Sequence, residues 1–358
     1  MRSTECYITM RDNIPYEYSD YVLEKYFHAT GTSQGWLPEN NKSVGVAVSG
    51  GGDSIALLWL CSKFYHGRIF ALHVNHGIRG SESDSDMDFT KNFADSLHIP
   101  FIARYSSVPV ERVKGESLES AARRIRQRDI CEMSRELKLD FIFLGHNRDD
   151  LAETVLFNIL RGTGIRGSVG ITESSELDGV KFYRPLLGLR RKFLRDILSI
   201  RNMTWREDSS NNDDSYTRNY LRLKLLPLIE SKINSSAIEH LANFGTDMRR
   251  VRELEDLESQ KLLNYCRDDK CSGLVLNHKK LRELSEDDIT LIIREAGRML
   301  RLKTLSRSRC LELAKLIAGT QGFIFQWVQG VSITSRNGKI FFDDKRGDNT
   351  HNDSESLE

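Results

Sequence analysis

Residues 47–54 read Ala-Val-Ser-Gly-Gly-Gly-Asp-Ser, with Gly50, Gly51 and Gly52 between Ser49 and Ser54 and with Asp53 beside the second serine. Glycines let a backbone come close to an anion, and a helix start and serine hydroxyls add donors, so the stretch suits phosphate. Asp53 alone would repel phosphate; a magnesium ion between the two removes the conflict. The Walker pattern is absent because no lysine follows the glycines, and the G-x-G-x-x-G dinucleotide pattern is absent too. Two other stretches gather titratable groups: His73-Val74-Asn75-His76-Gly77-Ile78-Arg79, and Gly145-His146-Asn147-Arg148-Asp149-Asp150-Leu151-Ala152-Glu153-Thr154. Asp150 and Glu153 are three apart at a helix start and so share a face. They can hold a cationic ligand there, or simply complement the helix dipole. Asp149 is a second candidate for magnesium. A lone histidine is structural more often than not, but His73, His76 and His146 all fall at strand ends.

The elements around these residues explain why they can converge. Residues 44–48 read as a buried strand, and a helix runs from the glycines to about Phe64. Further strands are predicted at 69–74, 101–105 and 141–144, with helices over 81–97, 118–137 and 150–160. Strands alternating with helices indicate an α/β domain with a parallel sheet, whose ligands bind at the carboxyl ends of the strands. Tyr18–Ala29 carries Val22, Tyr26 and Phe27 as a short amphipathic helix. After Pro227, Ile238, Leu241, Phe244, Met248, Val251 and Leu254 recur at helical spacing. Ser285 caps a helix carrying Ile289, Ile292, Ile293 and Ala296; a third helix starts at Ser306 or Ser308 and ends near Gly319. Residues 322–342 read as strands with an Asn337-Gly338 hairpin turn.

The division expected is an N-terminal helix and loop (1–40), a catalytic α/β domain (41–230), a smaller, mainly helical domain with terminal strands (231–343) and a disordered acidic tail (344–358). The chain has 358 residues, 39% hydrophobic and 29% charged, an ordinary globular composition. No apolar run approaches the roughly 18 residues of a membrane span, and the N-terminus lacks a signal-type apolar core; the cytoplasm is the default location. The six cysteines include no C-x-x-C pair, which disfavours zinc, iron–sulfur and disulfide frameworks. Net charge is +1, yet residues 184–224 hold ten basic and five acidic residues, and residues 294–309 six and one. Such patches suit a nucleic-acid ligand or a solvated face.

The strand-end set as a whole resembles the tRNA(Ile)-lysidine synthetases of the ATP pyrophosphatase superfamily. The matching pieces are S-G-G-G-D-S, H-V-N-H-G-I-R, Ala121-Ala122-Arg123, G-H-N-R-D-D-L-A-E-T, Leu160-Arg161-Gly162-Thr163-Gly164 and Arg184-Pro185-Leu186-Leu187. Trp205-Arg206-Glu207-Asp208-Ser209-Ser210-Asn211 and Arg218-Asn219-Tyr220-Leu221-Arg222 complete it, over about residues 40–230. Ile78, Asn147 and Ser209 depart from the family's usual residues, and the C-terminal part has no matching motif. The resemblance implies a carbon–nitrogen ligase that adenylates the wobble cytidine of a CAU-anticodon tRNA(Ile) with ATP and magnesium, then joins free L-lysine to it. It implies ATP contacts from Ser49–Ser54, His76, Gly145 and His146, and catalytic roles for Asp53, Asp150, Glu153 and Arg123. It further implies lysine held by Asp150 and Glu153, and magnesium held by Asp53 and Asp149. Candidate tRNA contacts are Arg218, Arg222, Arg298, Arg301 and Lys303, and a second copy of the chain is a candidate partner. A tRNA-cytidine thiolation enzyme shares the loop but typically needs C-x-x-C cysteines. A non-catalytic nucleotide- or RNA-binding module would not need the three carboxylates.

Overall fold

The computed structural model describes residues 15–37, 42–77, 80–207, 214, 216–269, 271, 273–328 and 330–344. The expected disordered tail, from residue 345 on, lies outside them, as do Ile78, Arg79, Ser209, Ser210 and Asn211. The chain divides into two compact units, Met1–Met248 and Arg249–Glu358.

The first unit is built on six strands: β1 (Ser43–Ala47), β2 (Arg68–Asn75), β3 (Phe101–Tyr105), β4 (Phe141–Phe143), β5 (Ser174–Leu177) and β6 (Val180–Tyr183). Their order is β3-β2-β1-β4-β6-β5. Neighbours are parallel except the β5–β6 hairpin, which adds an antiparallel edge. The chain leaves β1 towards β2 and later returns to β1's other side as β4. The carboxyl ends of β1 and β4 therefore flank the point where strand order reverses, the ordinary ligand crevice of an open α/β sheet. The glycine loop follows β1, and the Asn147–Glu153 stretch follows β4.

The helix Gly52–Phe64 is buried continuously from Ser54 to Cys61, so it shows little amphipathic character. It packs between the sheet and the helix Arg191–Ile200, whose Leu194, Ile197 and Leu198 are fully buried in the same core as Ile55, Leu58 and Trp59. Full burial of such a side chain contributes about 1.5–3 kcal/mol. This packing fixes the start of one helix, with the loop, beside the start of the other, with Arg191.

The second unit carries β7 (Val275–Asn277), β8 (Ile324–Val328), β9 (Val331–Arg336) and β10 (Lys339–Asp344) in the order β7-β10-β9-β8, all antiparallel. Asn337 and Gly338 form the β9–β10 turn, both at positive φ. Ile289, Ile292, Ile293 and Ala296 of the helix Glu286–Met299 are buried, and Ser285 caps it by accepting from the Asp288 N–H. The helix Arg307–Ala318 is likewise capped by Ser306. Gly297 is required by packing: a Cβ there would sit 2.7 Å from the Trp327 ring.

Three expectations change. The N-terminal helix is Asp20–Gln34 and buries Leu23, Phe27 and Gly31, a stripe one residue out of phase with Val22 and Tyr26. The long helix, Ala237–Cys266, buries Ile238 and Ala242 but leaves Phe244, Val251 and Leu254 exposed. The division between units falls at Met248 rather than near 230. The first turns of the long helix belong to the first unit, since Ile238 and Ala242 pack with Leu151, Ala152 and Val155. No helix among the described residues is long and apolar enough to cross a membrane.

Candidate active site

The glycine loop is held from within and from outside. The Ser54 hydroxyl donates to the Gly51 carbonyl at 2.9 Å and accepts from the Ser49 N–H at 3.2 Å. Gly50 lies at φ +89°, where a side chain would be strained and its Cβ would stand 3.2 Å from Thr90 Oγ1. Gly145, at the end of β4, passes so close that a Cβ would lie 3.2 Å from the Ser54 backbone. The Trp205 ring covers Gly52, and the Arg206 N–H donates to the Gly50 carbonyl at 2.9 Å. Gly51 caps the following helix without a side-chain acceptor, which leaves first-turn N–H groups for an anion.

Asp53 Oδ1 is buried without a hydrogen-bond partner. Burial and the neighbouring Asp150 charge push its carboxyl up to about 6, against the pull of Arg191 and Arg195. A buried, unpartnered carboxylate oxygen at a phosphate loop fits a divalent cation.

Asp150 and Glu153 are brought together as expected, and both are nearly fully buried. Asp150 forms a capping box with Asn147, its Oδ2 accepting from the Asn147 N–H at 3.0 Å while its own N–H donates to Asn147 Oδ1. The rest of the pair's capacity goes to arginines. Arg191 donates to Asp150 Oδ1 at 2.8 Å and, through both Nη atoms, to Glu153 Oε1 at 3.0 Å. Arg222 grips Glu153 with two bonds of 2.8 Å and reaches Asp150 Oδ1 at 3.3 Å. Arg218 Nε stands 3.6 Å from Glu153 Oε2. Burial alone would raise the Asp150 carboxyl; Arg191, the Asn147 N–H and Arg222 outweigh it and hold the group below the usual range.

The histidines separate into two kinds. His73 Nδ1 bonds the Val48 carbonyl at 2.8 Å and so braces the entry to the loop. His76 and His146 each keep a buried Nδ1 without a partner. Burial, helped by Arg126, lowers His76 to about 4, and burial lowers His146 to about 4, so both are neutral near pH 7. Arg126 Nε donates to His76 Nε2 at 3.2 Å. Arg123 is exposed, and its charge reaches His146 and Arg184.

Asp149, the second candidate for magnesium, has one oxygen engaged by this chain. Its Oδ2 accepts from the Arg191 backbone N–H at 2.7 Å and from Arg190 Nε at 3.2 Å, which anchors the Arg190–Arg191 turn. Among the described residues, no group of three His, Cys, Asp or Glu side chains could hold a metal ion. In the second unit, Arg298 is bound to Glu295 at 2.7 and 3.0 Å, so it belongs to that helix's own packing. Arg301 and Lys303 are exposed. Sequence reasoning missed Arg191, the cation common to all three site carboxylates. The signal available was indirect: three acids on neighbouring strand ends require cations from elsewhere, and Arg190-Arg191 follows Arg184-Pro185-Leu186-Leu187 closely.

A family model described as a PP-loop domain matches residues 23–229. With the strand-end glycine loop, this makes the protein a PP-loop ATP-binding protein. A tRNA(Ile)-lysidine synthase from Chlorobaculum tepidum is 33% identical over 274 residues, 75% of this chain and 81% of that one. One from Clostridium perfringens is 37% identical over 227 residues, 62% of this chain and 48% of that one. The chain belongs to the tRNA(Ile)-lysidine synthase family, and it spans about half the length of several of the curated relatives it matches. At the level of fold it is similar to a U34-tRNA thiolase from Methanococcus maripaludis, with a TM-score of 0.54 and 20% identity over 65% of this chain and 81% of that one.

Proposed function

We propose that this chain ligates free L-lysine to position 2 of the wobble cytidine, position 34, of a CAU-anticodon tRNA(Ile), with ATP cleaved to AMP and pyrophosphate. The observation that carries the reading is the buried Asp150–Glu153 pair beside the phosphate loop, in a chain whose relatives are lysidine synthases. In this reading ATP lies along Ser49–Ser54, with His76, Gly145 and His146 beside it. The two histidine rings are neutral and each keeps a buried Nδ1 for a ligand. The cytidine O2 attacks the α-phosphorus, an O–P bond forms, and the bond to the β-phosphate breaks as pyrophosphate leaves. The lysine amine then attacks C2, the C2–O bond breaks, AMP leaves, and the amine loses a proton. Adenylation is needed because an amide-like oxygen is a poor leaving group.

Asp53 is the residue that fits a magnesium ion, and the ion when bound would offset phosphate charge. In this reading Arg123 and Arg218 offset charge that develops on phosphate, while Arg222 stays on Glu153. Asp150 and Glu153 hold a cationic end of lysine. Asp149 serves the site by fixing the Arg190–Arg191 turn. The second unit, with Arg301 and Lys303, contacts tRNA backbone, and the reaction takes place in the cytoplasm. The test is AMP release from α-labelled ATP with tRNA and lysine supplied separately and together. Lysidine formed only with both present supports the reading. Sulfur incorporation into the cytidine, with no use of lysine, would favour a thiolation enzyme instead.

A further inference from the structure

The acceptors of Asp150 and Glu153 are already engaged by this chain's own donors, one backbone amide and the rest guanidinium groups. Asp150 Oδ2 is taken by the Asn147 N–H, Oδ1 by Arg191 and Arg222, Glu153 Oε1 by the same two arginines, and Oε2 by Arg222 with Arg218 near it. An ammonium group can enter this pair only if a guanidinium gives up its place. Charge points the same way. Asp53, Asp149, Asp150 and Glu153 face Arg190, Arg191, Arg195, Arg218 and Arg222, so the cluster already holds at least as much positive as negative charge, and a further cation alone would add to the excess in a poorly solvated place.

The arginines are not equal candidates for moving. Arg222 is clamped on Glu153 through two parallel bonds, the strongest geometry such a pair adopts. Arg218 approaches only one oxygen of Glu153. Arg191 alone also faces the glycine loop, its Nε 3.7 Å from Asp53 Oδ2. Its backbone is fixed by Asp149 and by the packed helix it begins, so its side chain can turn while its root stays.

We propose that Arg191 sets the order of binding: it occupies the amine's place between Asp150 and Glu153 and yields that place when nucleotide phosphates at the Ser49–Ser54 loop offer it a new anionic partner. The inference rests on the function proposed above and goes beyond it, because that function requires no order. Guanidinium pairs with phosphate oxygens at least as well as with carboxylates. The nucleotide supplies the negative charge that an added ammonium needs. Coupling between two ligands is reciprocal, so lysine tightens nucleotide binding by the same factor that nucleotide tightens lysine binding.

The test is calorimetric titration of L-lysine into the full chain, alone and saturated with magnesium and α,β-methylene-ATP. The wild type is expected to bind lysine at least about tenfold more tightly with the nucleotide analogue. In Arg191→Met the two affinities are expected to differ by less than about threefold, because lysine no longer waits for the guanidinium to leave. Arg191→Lys, which keeps a cation and guards against a variant that does not fold, is expected to lower the coupling at least about threefold. Equal lysine affinity with and without the analogue in the wild type overturns the inference and leaves the proposed reaction standing. So does full coupling in a folded Arg191→Met or Arg191→Lys. Failure of lysine to bind the wild type under either condition, while the analogue binds, overturns the amine assignment itself and the inference with it.

Discussion

Glu153 in the first unit and Glu295 in the second are both nearly fully buried and both paired with arginine, yet they are different kinds of site. Glu295 takes its partner from one turn further along its own helix, at i,i+3, with Asp256 4.0 Å from the same arginine. Such a pair is available to any helix and serves packing. Glu153 collects Arg191, Arg218 and Arg222 from two other chain segments, and shares two of them with Asp150. Bringing that many charges out of water from remote positions costs more than the attraction returns unless something else is gained. In the proposed reading, the difference separates a place where charge stabilises a helix from a place where charge is assembled for a ligand.

The largest expected effect breaks the assembled site at its phosphate end. Asp53→Ala should lower tRNA-dependent AMP formation by about a hundred- to a thousandfold, by analogy with loss of a preorganised charge partner at a reacting centre. The fold should persist, since a first-turn aspartate with an unpartnered oxygen adds little to the core. Near-normal turnover with magnesium still required would remove Asp53 from the site.

A smaller effect compares the two arginine pairs. Arg222→Ala leaves Glu153 short of its bidentate partner in a buried place and should destabilise the first unit by about 3–5 kcal/mol. Arg298→Ala removes a half-exposed partner and should cost about 1–2 kcal/mol, with AMP formation at saturating tRNA unchanged. Urea denaturation of both variants measures this. Equal losses would make the two clusters alike and erase the comparison.

Acid should also act on the first unit. His76 is held at about 4 in the folded chain, against 6.5 when free, because burial disfavours its charged form. Unfolding therefore takes up a proton below pH 6.5, so this contribution is complete above 6.5 and is lost as pH falls towards 4. The shift corresponds to at most about 3 kcal/mol. The stability of the wild type should fall over that window, and His76→Gln should flatten the fall. An unchanged slope would mean that His76 is not neutral in the folded protein.

The smallest effect concerns the second unit. Arg301 and Lys303 are exposed, whereas Arg298 is committed to Glu295. The double variant Arg301→Ala with Lys303→Ala should weaken tRNA binding several-fold and reduce the salt slope by about one to two. Arg298→Ala should leave the slope alone. A slope that ignores the first change and follows the second would show that tRNA sees Arg298 after all.

The sequence was most legible where apolar runs and glycines coincide. The runs that became β1 to β4, and the loop after β1, could be placed because buried parallel strands and phosphate turns leave a strong local signature. The β5–β6 hairpin was missed because Ser174–Leu177 is exposed along its whole length, and exposed edge strands carry no apolar alternation. Its turn was nonetheless written as Asp178-Gly179, both at positive φ. The phase of the N-terminal helix and the exposed side of Ala237–Cys266 were hidden because several apolar stripes coexist on those helices, and only tertiary packing selects one. Arg191 escaped for a related reason. Nothing in a run of basic residues tells which one will be the first residue of a packed helix, turned inward to three carboxylates.

In the proposed function two chemistries are divided between two places: phosphate work at Asp53 and amine capture at Asp150 and Glu153. Single-turnover kinetics of Glu153→Gln with labelled ATP and tRNA, titrating lysine, tests that division most directly. Loss of a charge-assisted hydrogen bond is worth about 1.5–3 kcal/mol, about ten- to a hundredfold in affinity. Adenylation is expected at near-normal rate, with adenylated tRNA accumulating at low lysine and the lysine requirement raised by that factor. Adenylation that stops while lysine saturation stays unchanged would place Glu153 in the phosphate chemistry and contradict the account.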